Sequence, residues 1–304
     1  MKRVLLSGGS GFIGKHCILP LKARGYEVHA VSNRPVPAAD GVSWHRADLL
    51  DPSSAAGLIR EIAPTHLLHL AWYVVPGKLI TSPVNYDWVA SSLALVRQFC
   101  DQGGRRVVGC GSAYEYDWNY GYCNERLTPA APNTVYGACK QALNLLVQSL
   151  TDQAGVSSAW GRAFFLYGPE EQQDRLVASV IRSVLRGEPA RCSHGRQIRD
   201  YMHVQDVANG MVALLDSDVR GIVNICSGQA TTLREIVLGI GRALERPELI
   251  QLGAIPARAN DTPLVVGDNT RLQQEVGWAQ QFDLDSGLRH TIDWWRSRES
   301  VGMV

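Results

Sequence analysis

Two side chains with complementary acid–base chemistry stand four residues apart in Tyr136-Gly137-Ala138-Cys139-Lys140. On a helix they share a face, one turn from each other. A phenol with a free pKa of about 10 is a poor acid or base at neutral pH. A neighbouring ammonium stabilises the phenolate and draws that value toward the working range. Such a pair can pass a proton to or from an alcohol or carbonyl. Y-x-x-x-K alone also arises by chance on surface helices, so its meaning depends on its surroundings. Upstream, Ser112 follows the apolar run Arg106 to Gly109. There its hydroxyl could orient a reacting oxygen against Tyr136, or only cap a strand end.

The elements that must position these groups are legible from the first residues. Arg3 to Ser7 reads as a short buried strand, and Gly8-Gly9-Ser10-Gly11-Phe12-Ile13-Gly14 follows at once. Lys15 to Arg24 has helical character, with Gly25 as its stop. Strand, glycine turn and helix are the context of a dinucleotide site. Gly8 permits the tight turn, Gly11 lets a pyrophosphate approach the backbone, and Gly14 allows close packing at the helix start. The spacing is G-x-x-G-x-x-G.

Glu27 to Ser32 is the second strand, and Asn33-Arg34 follows it where an NAD site usually carries an acid for the ribose 2′-hydroxyl. An arginine there suits a 2′-phosphate, so NADP(H) is favoured and NAD(H) remains possible. Val42 to Leu49 reads as a third strand and turn. Asp48 either touches the adenine or caps the helix beginning at Asp51-Pro52-Ser53. His66 to Ala71 is a fourth strand in which His69 reads as a satisfied core residue. A helix over 84–102, the strand at 106–109 and a helix over 136–152 complete an alternation that argues for an α/β fold with a doubly wound parallel sheet.

Composition narrows the partners. The 304 residues are 45% hydrophobic, enough for a substantial core, and the net charge is +1. No basic run exceeds two residues, which disfavours nucleic acid and anionic membranes. Seven scattered cysteines without a C-x-x-C pair argue against a metal site or a disulfide framework, and fit a reducing cytoplasm. No apolar run approaches a membrane span.

Taken in order, these motifs resemble the extended short-chain dehydrogenase/reductase family, the NAD(P)-dependent epimerases, dehydratases and reductases of nucleotide sugars. The resemblance covers nearly the whole chain. It rests on Gly8, Gly11 and Gly14, on His69-Leu70-Ala71, and on Ser112 preceding Tyr136 and Lys140. Tyr167-Gly168-Pro169, Arg199-Asp200-Tyr201 with Val204 and Asp206, and Asn224-Ile225-Cys226-Ser227-Gly228 extend it. It implies a Rossmann-type sheet over 1–166, with 197–227 returning to it, and a smaller discontinuous substrate-binding lobe from 167–196 and 228–304. It also implies roles: Ser112 polarises the substrate oxygen, Tyr136 handles its proton, and Lys140 holds the nicotinamide ribose and lowers the tyrosine's pKa. Gly8, Gly11, Phe12, Ile13, Gly14, Asn33, Arg34, Asp48, Leu49, Leu70 and Ala71 fall on the cofactor side. Tyr114, Phe165, Arg199 and Arg258 fall on the substrate side, the two arginines matching those that grip a nucleotide-sugar diphosphate. A homodimer through the helices at 84–102 and 136–152 follows by the same analogy.

Departures from the family pattern narrow the reaction. Sugar-nucleotide 4,6-dehydratases carry an Asp-Glu pair directly after the active-site hydroxyl residue; here Ala113 and Tyr114 stand there. The Cys and His that GDP-fucose synthases use for epimerisation are also missing near Ser112 and after Pro169. Phe165-Leu166 stands where many members have Asn before Tyr-Gly-Pro, and Trp72 replaces a small residue after His-Leu-Ala. The reading is an NADPH-dependent 4-ketoreductase of a nucleotide-activated 4-keto-6-deoxy sugar. A nucleotide-sugar 4-epimerase with tightly held NAD is the alternative, and a catalytically silent nucleotide-binding regulatory protein is the alternative of another class.

Overall fold

The computed structural model describes residues 2–36, 41–257 and 261–299. In chain order its elements are β1 (Lys2–Ser7), α1 (Phe12–Ala23), β2 (Tyr26–Ser32), β3 (Val42–Arg46), α2 (Pro52–Ile62), β4 (His66–His69), α3 (Val84–Asp101), β5 (Arg106–Ser112), β6 (Tyr122–Cys123), α4 (Val135–Gln153), β7 (Ser157–Ala163) and β8 (Phe165–Tyr167). Then follow α5 (Leu176–Leu185), β9 (Ala190–Arg191), β10 (Ile198–Arg199), β11 (Tyr201–His203), α6 (Val204–Asp216), β12 (Gly221–Ile225), β13 (Thr231–Thr232), α7 (Leu233–Ala243), β14 (Ile250–Gln251), β15 (Leu264–Gly267), α8 (Thr270–Gln274) and α9 (Leu284–Glu299).

Seven strands form one parallel sheet in the order β12-β7-β5-β4-β1-β2-β3. The order reverses between β1 and β4, and open α/β sheets hold ligands in the crevice outside the carboxyl ends at that point. Successive strand residues point to opposite faces, which explains the two cores. Val4 and Leu6 pack with Cys17 and Leu21 of α1 and with Val207 and Met211 of α6. Leu5 faces the other way, toward Ile59 of α2, Leu95 of α3 and Leu143 of α4.

A third cluster joins Tyr167 of β8 to Val177 and Ile181 of α5, Ile236 and Ile240 of α7, and Leu288 and Trp295 of α9. Trp295 is buried there and packs the cluster. Of the stretch 197–227 expected to return to the main sheet, the first two strands do not. β10 pairs with β13 and β15, whereas β11 pairs with β8. Asp200 explains the crossing. Its carboxylate accepts Ser227 N–H and Oγ–H together with the amides of Gly228 and Gly267, so the chain between β10 and β11 is pinned where three segments meet. The main sheet is instead extended by β12, after α6 has packed on its face.

Candidate functional site

Thr134 starts α4: its hydroxyl accepts the Gly137 amide at 3.0 Å. Tyr136, Cys139, Lys140, Leu143 and Val147 then form a stripe at helical spacing that faces the sheet. A Cβ at Gly137 would run into the Tyr114 carbonyl and Pro132, so glycine lets the 113–115 turn rest on the helix. That turn leaves the end of β5. Ser112 has extended backbone and its hydroxyl accepts the Tyr114 amide at 3.3 Å. The same hydroxyl acts on the Tyr136 phenol, tending to lower its pKa against burial. Capping and an influence on Tyr136 therefore coexist in one residue.

Burial outweighs that influence. It raises the Tyr136 phenol well above its ordinary value, the Cys110 thiol pushes the same way, and Glu115 and Tyr114 add to the rise. Lys140 is fully buried as well, and burial lowers its ammonium to about 8, against an upward pull from Cys110 and Glu115. Its Nζ donates to the Cys110 carbonyl at 2.8 Å and sits 3.8 Å from the centroid of the Trp72 ring. The Lys140 contacts lie elsewhere than the phenol in this structure. The ammonium is directed at a carbonyl and an indole, and Ser112 is the group that opposes burial.

The glycine turn lies at the sheet's switch point. Gly8 is left-handed (φ 69°), and a Cβ there would press within 2.8 Å of the Ala71 amide. At Gly14 a Cβ would collide with the Gly8 carbonyl, so the close packing expected of that glycine is with the turn itself. In front of Gly11 a Cβ would meet only the Gly8 oxygen, at 3.1 Å. Helix α1 begins at Phe12, directly after Gly11, without a side-chain cap or an acid in its first turn. Phe12 and Ile13 open that helix, and its amides are left to meet an anion. A pyrophosphate fits this cradle.

Ser7, at the end of β1, donates or accepts at 2.7 Å with His69 and accepts the amides of Leu70 and Ala71. His69 completes the chain to Ser92 at 2.8 Å, which makes it a satisfied core residue whose pKa burial lowers to about 3. After β2, Ser32 bonds Ser10 and both the N–H and C=O of Arg34. That turn leaves Asn33 and Arg34 exposed. No carboxylate pairs with the Arg34 guanidinium among the described residues. Asp48 is exposed and accepts the Leu50 amide, Leu49 is buried in the core, and Asp51 is the cap of α2. Capping therefore falls to Asp51, and Asp48 retains an open carboxylate oxygen.

An aromatic wall runs outward from Tyr136. Trp72 and Tyr114 meet the Tyr136 ring edge-on at 6.4 and 5.7 Å, Trp118 lies 4.4 Å from Tyr114, and Phe165 continues the line to Tyr201. Arg199 is buried behind it, its guanidinium 5.5 Å from the Phe165 centroid and 5.9 Å from that of Trp118. Its Nη2 holds Asp261 Oδ1 at 2.6 Å. Arg258 lies outside the described residues. Tyr201 was missed as a member of this wall, whereas Trp118 stands in the aromatic-rich loop 116–122, which from sequence alone reads equally as a substrate wall or as packing over the strand ends. Glu171 was missed too: it is buried near Tyr201 and its Oε2 has no partner. Among the described residues no cluster of His, Cys, Asp or Glu could hold a metal ion, and no helix is long and apolar enough to cross a membrane.

A model of the NAD dependent epimerase/dehydratase family matches residues 4–226. The GDP-6-deoxy-D-mannose reductase of Pseudomonas aeruginosa is 28% identical over 98% of this chain and 98% of its own. The UDP-glucose 4-epimerase of Rhizobium meliloti is 24% identical over the same shares of both chains. Among solved structures, the Thermus thermophilus UDP-glucose 4-epimerase in complex with NAD superposes with a TM-score of 0.87 at 27% identity, covering 97% of this chain and 99% of its own.

Proposed function

The chain belongs to the NAD-dependent epimerase/dehydratase family, and we propose that it uses NADPH to reduce the C4 keto group of a nucleotide-activated 4-keto-6-deoxy sugar. The observation that carries the NADPH preference is Arg34, exposed at the end of β2 without an acid beside it. When bound, the reduced nicotinamide supplies a hydride. The glycine turn and the start of α1 receive its pyrophosphate, with Asp48, Leu49, Leu70 and Ala71 along its path and Lys140 at the nicotinamide ribose. Ser112 then holds the C4 oxygen by a hydrogen bond, and Tyr136 gives that oxygen its proton. A phenol kept protonated by burial suits donation. Ala113 and Tyr114 provide no carboxyl for eliminating water, so dehydration is disfavoured. Arg199 and the wall from Tyr114 to Phe165 take the nucleotide-sugar end, and Arg258 is proposed to share that work.

A 4-epimerase is the second reading, favoured by the relatives of that activity in Rhizobium meliloti and Thermus thermophilus. It uses Ser112, Tyr136 and Lys140 identically, so cofactor exchange separates the two. Absorbance at the nicotinamide band, followed with NADPH and the 4-keto-6-deoxyhexoses of dTDP, CDP, GDP and UDP, should fall with at least one of them. No substrate-dependent oxidation with any carrier contradicts the reductase.

We also propose a cytoplasmic homodimer through α3 and α4, where Tyr86, Leu145 and Leu146 are exposed. A monomeric mass in solution contradicts the dimer.

A further inference from the structure

One carboxylate beside the site has no part in the proposed chemistry. Glu115 is wholly buried directly under Ser112. Its Oε1 accepts the Ser112 amide at 2.7 Å and the Trp160 indole N–H at 3.0 Å, and its Oε2 pairs with Arg162 Nε at 2.8 Å. Arg162 is 1% exposed, and its Nη2 donates to Gln141 Oε1 at 2.7 Å. Gln141 is the residue after Lys140. The same guanidinium lies 4.2 Å from the ring centroid of Tyr116, whose hydroxyl donates to Asn224. One chain of contacts thus runs from the Ser112 backbone, across β7, to the helix that carries Tyr136 and Lys140.

Stability does not account for it. Removing two charges from water is costly, and apolar residues of equal volume are often as stable. What a hydrogen-bonded buried pair supplies is fixed geometry. We propose that Glu115 is a positioning residue: with Arg162 and Gln141 it forms a strut that holds Ser112 in register with Tyr136 and Lys140. The proposal rests on the reading of those three as the reacting groups. A displacement on the order of 1 Å in such a constellation costs up to about 100-fold in rate.

The strut also brings a negative charge to the site. Lys140 faces Cys110 of β5 and Glu115, with His69 of β4 within its field; Tyr136 faces Cys110, Ser112, Tyr114 and Glu115. Glu115 pulls both groups upward. Neutralising it therefore lets Lys140 lose its proton at a lower pH.

Two variants separate reach from charge. Glu115→Asp keeps the charge and shortens the arm; kcat should fall about tenfold or more, with KM nearly unchanged and the alkaline limb of the pH profile in place. Glu115→Gln/Arg162→Met removes both charges at similar volume; its alkaline limb should move to lower pH, and the pH midpoint of NADPH binding, read by protein fluorescence, should move with it. Wild-type kcat in Glu115→Asp, or unmoved midpoints in the double variant, overturns the proposal. If the double variant does not fold, the Asp variant decides alone. Should the wild type bind NADPH but turn over no nucleotide sugar, the functional reading fails separately, and the Ser112–Tyr136 separation in a crystal structure of Glu115→Asp then decides the strut: an unchanged separation overturns it.

Discussion

Lys140 and Trp72 form a buried cation–π pair, the ammonium 3.8 Å from the indole centroid. The indole N–H is fixed by Asn85, whose own amide is held by the carbonyls of Leu79 and Ser82. The loop before α3 therefore fixes the seat of the lysine. A desolvated cation–π contact stabilises the charged form by about 2 kcal/mol. Trp72→Leu keeps the site dry and removes that support. The alkaline limb of activity should move to lower pH, whereas Trp72→Phe should hold it near the wild-type position. Equal profiles for the two variants would remove the ring from Lys140's electrostatics.

Tyr136→Phe deletes the proton donor and leaves the ring contacts with Trp72 and Tyr114 in place. Turnover should drop by about 100-fold or more, with NADPH binding changed little. Retained turnover would take the phenol out of the mechanism.

Arg34→Ala tests cofactor choice. Losing a guanidinium that pairs with a 2′-phosphate costs roughly 1.5–3 kcal/mol, so NADPH should weaken by one to two orders of magnitude and NADH hardly at all. Titration of both cofactors by fluorescence checks this. Equal losses would point to NAD and strengthen the epimerase reading.

Glu171 makes stability depend on pH. Burial raises its carboxyl to about 8 from 4.5, against lowering by Arg175 and by the Ala178 amide at the start of α5. A group whose folded-state pKa is raised favours folding fully below its unfolded value and loses that contribution as pH rises through the folded one. Between about pH 4.5 and 8, the wild type should therefore lose stability to this group. Glu171→Gln should flatten the dependence and melt higher than wild type near pH 9 in scanning calorimetry. Parallel pH curves would show that Glu171 is not buried in this state.

Local chemistry made much of this site readable in advance. The turn at Gly8, Gly11 and Gly14 and the pair Tyr136–Lys140 are set by spacings of a few residues, which a strand or helix converts directly into geometry. Long-range pairing was not readable. Glu115 finds Arg162 across 47 positions and Arg199 finds Asp261 across 62, with no local pattern linking either pair. The short strands at 198–199 and 201–203 were misplaced for a related reason: pairs of two or three residues carry almost no periodic signal, and the Asp200 contacts that fix them come from 227, 228 and 267. The spacing singles out Lys140 but not its direction, because the Cys110 carbonyl and the Trp72 ring that orient it come from β5 and from the loop after β4.

The most direct measurement follows the hydride. NADPH deuterated at C4 on the transferred face is incubated with the protein and a nucleotide-linked 4-keto-6-deoxyhexose, and the product sugar is read by NMR and mass spectrometry. The reductase account predicts one deuterium on C4 of the sugar for each NADPH oxidised, and none with Tyr136→Phe. Interconversion of C4 epimers by the purified protein, with no net NADPH oxidation and no deuterium in the sugar, would contradict it.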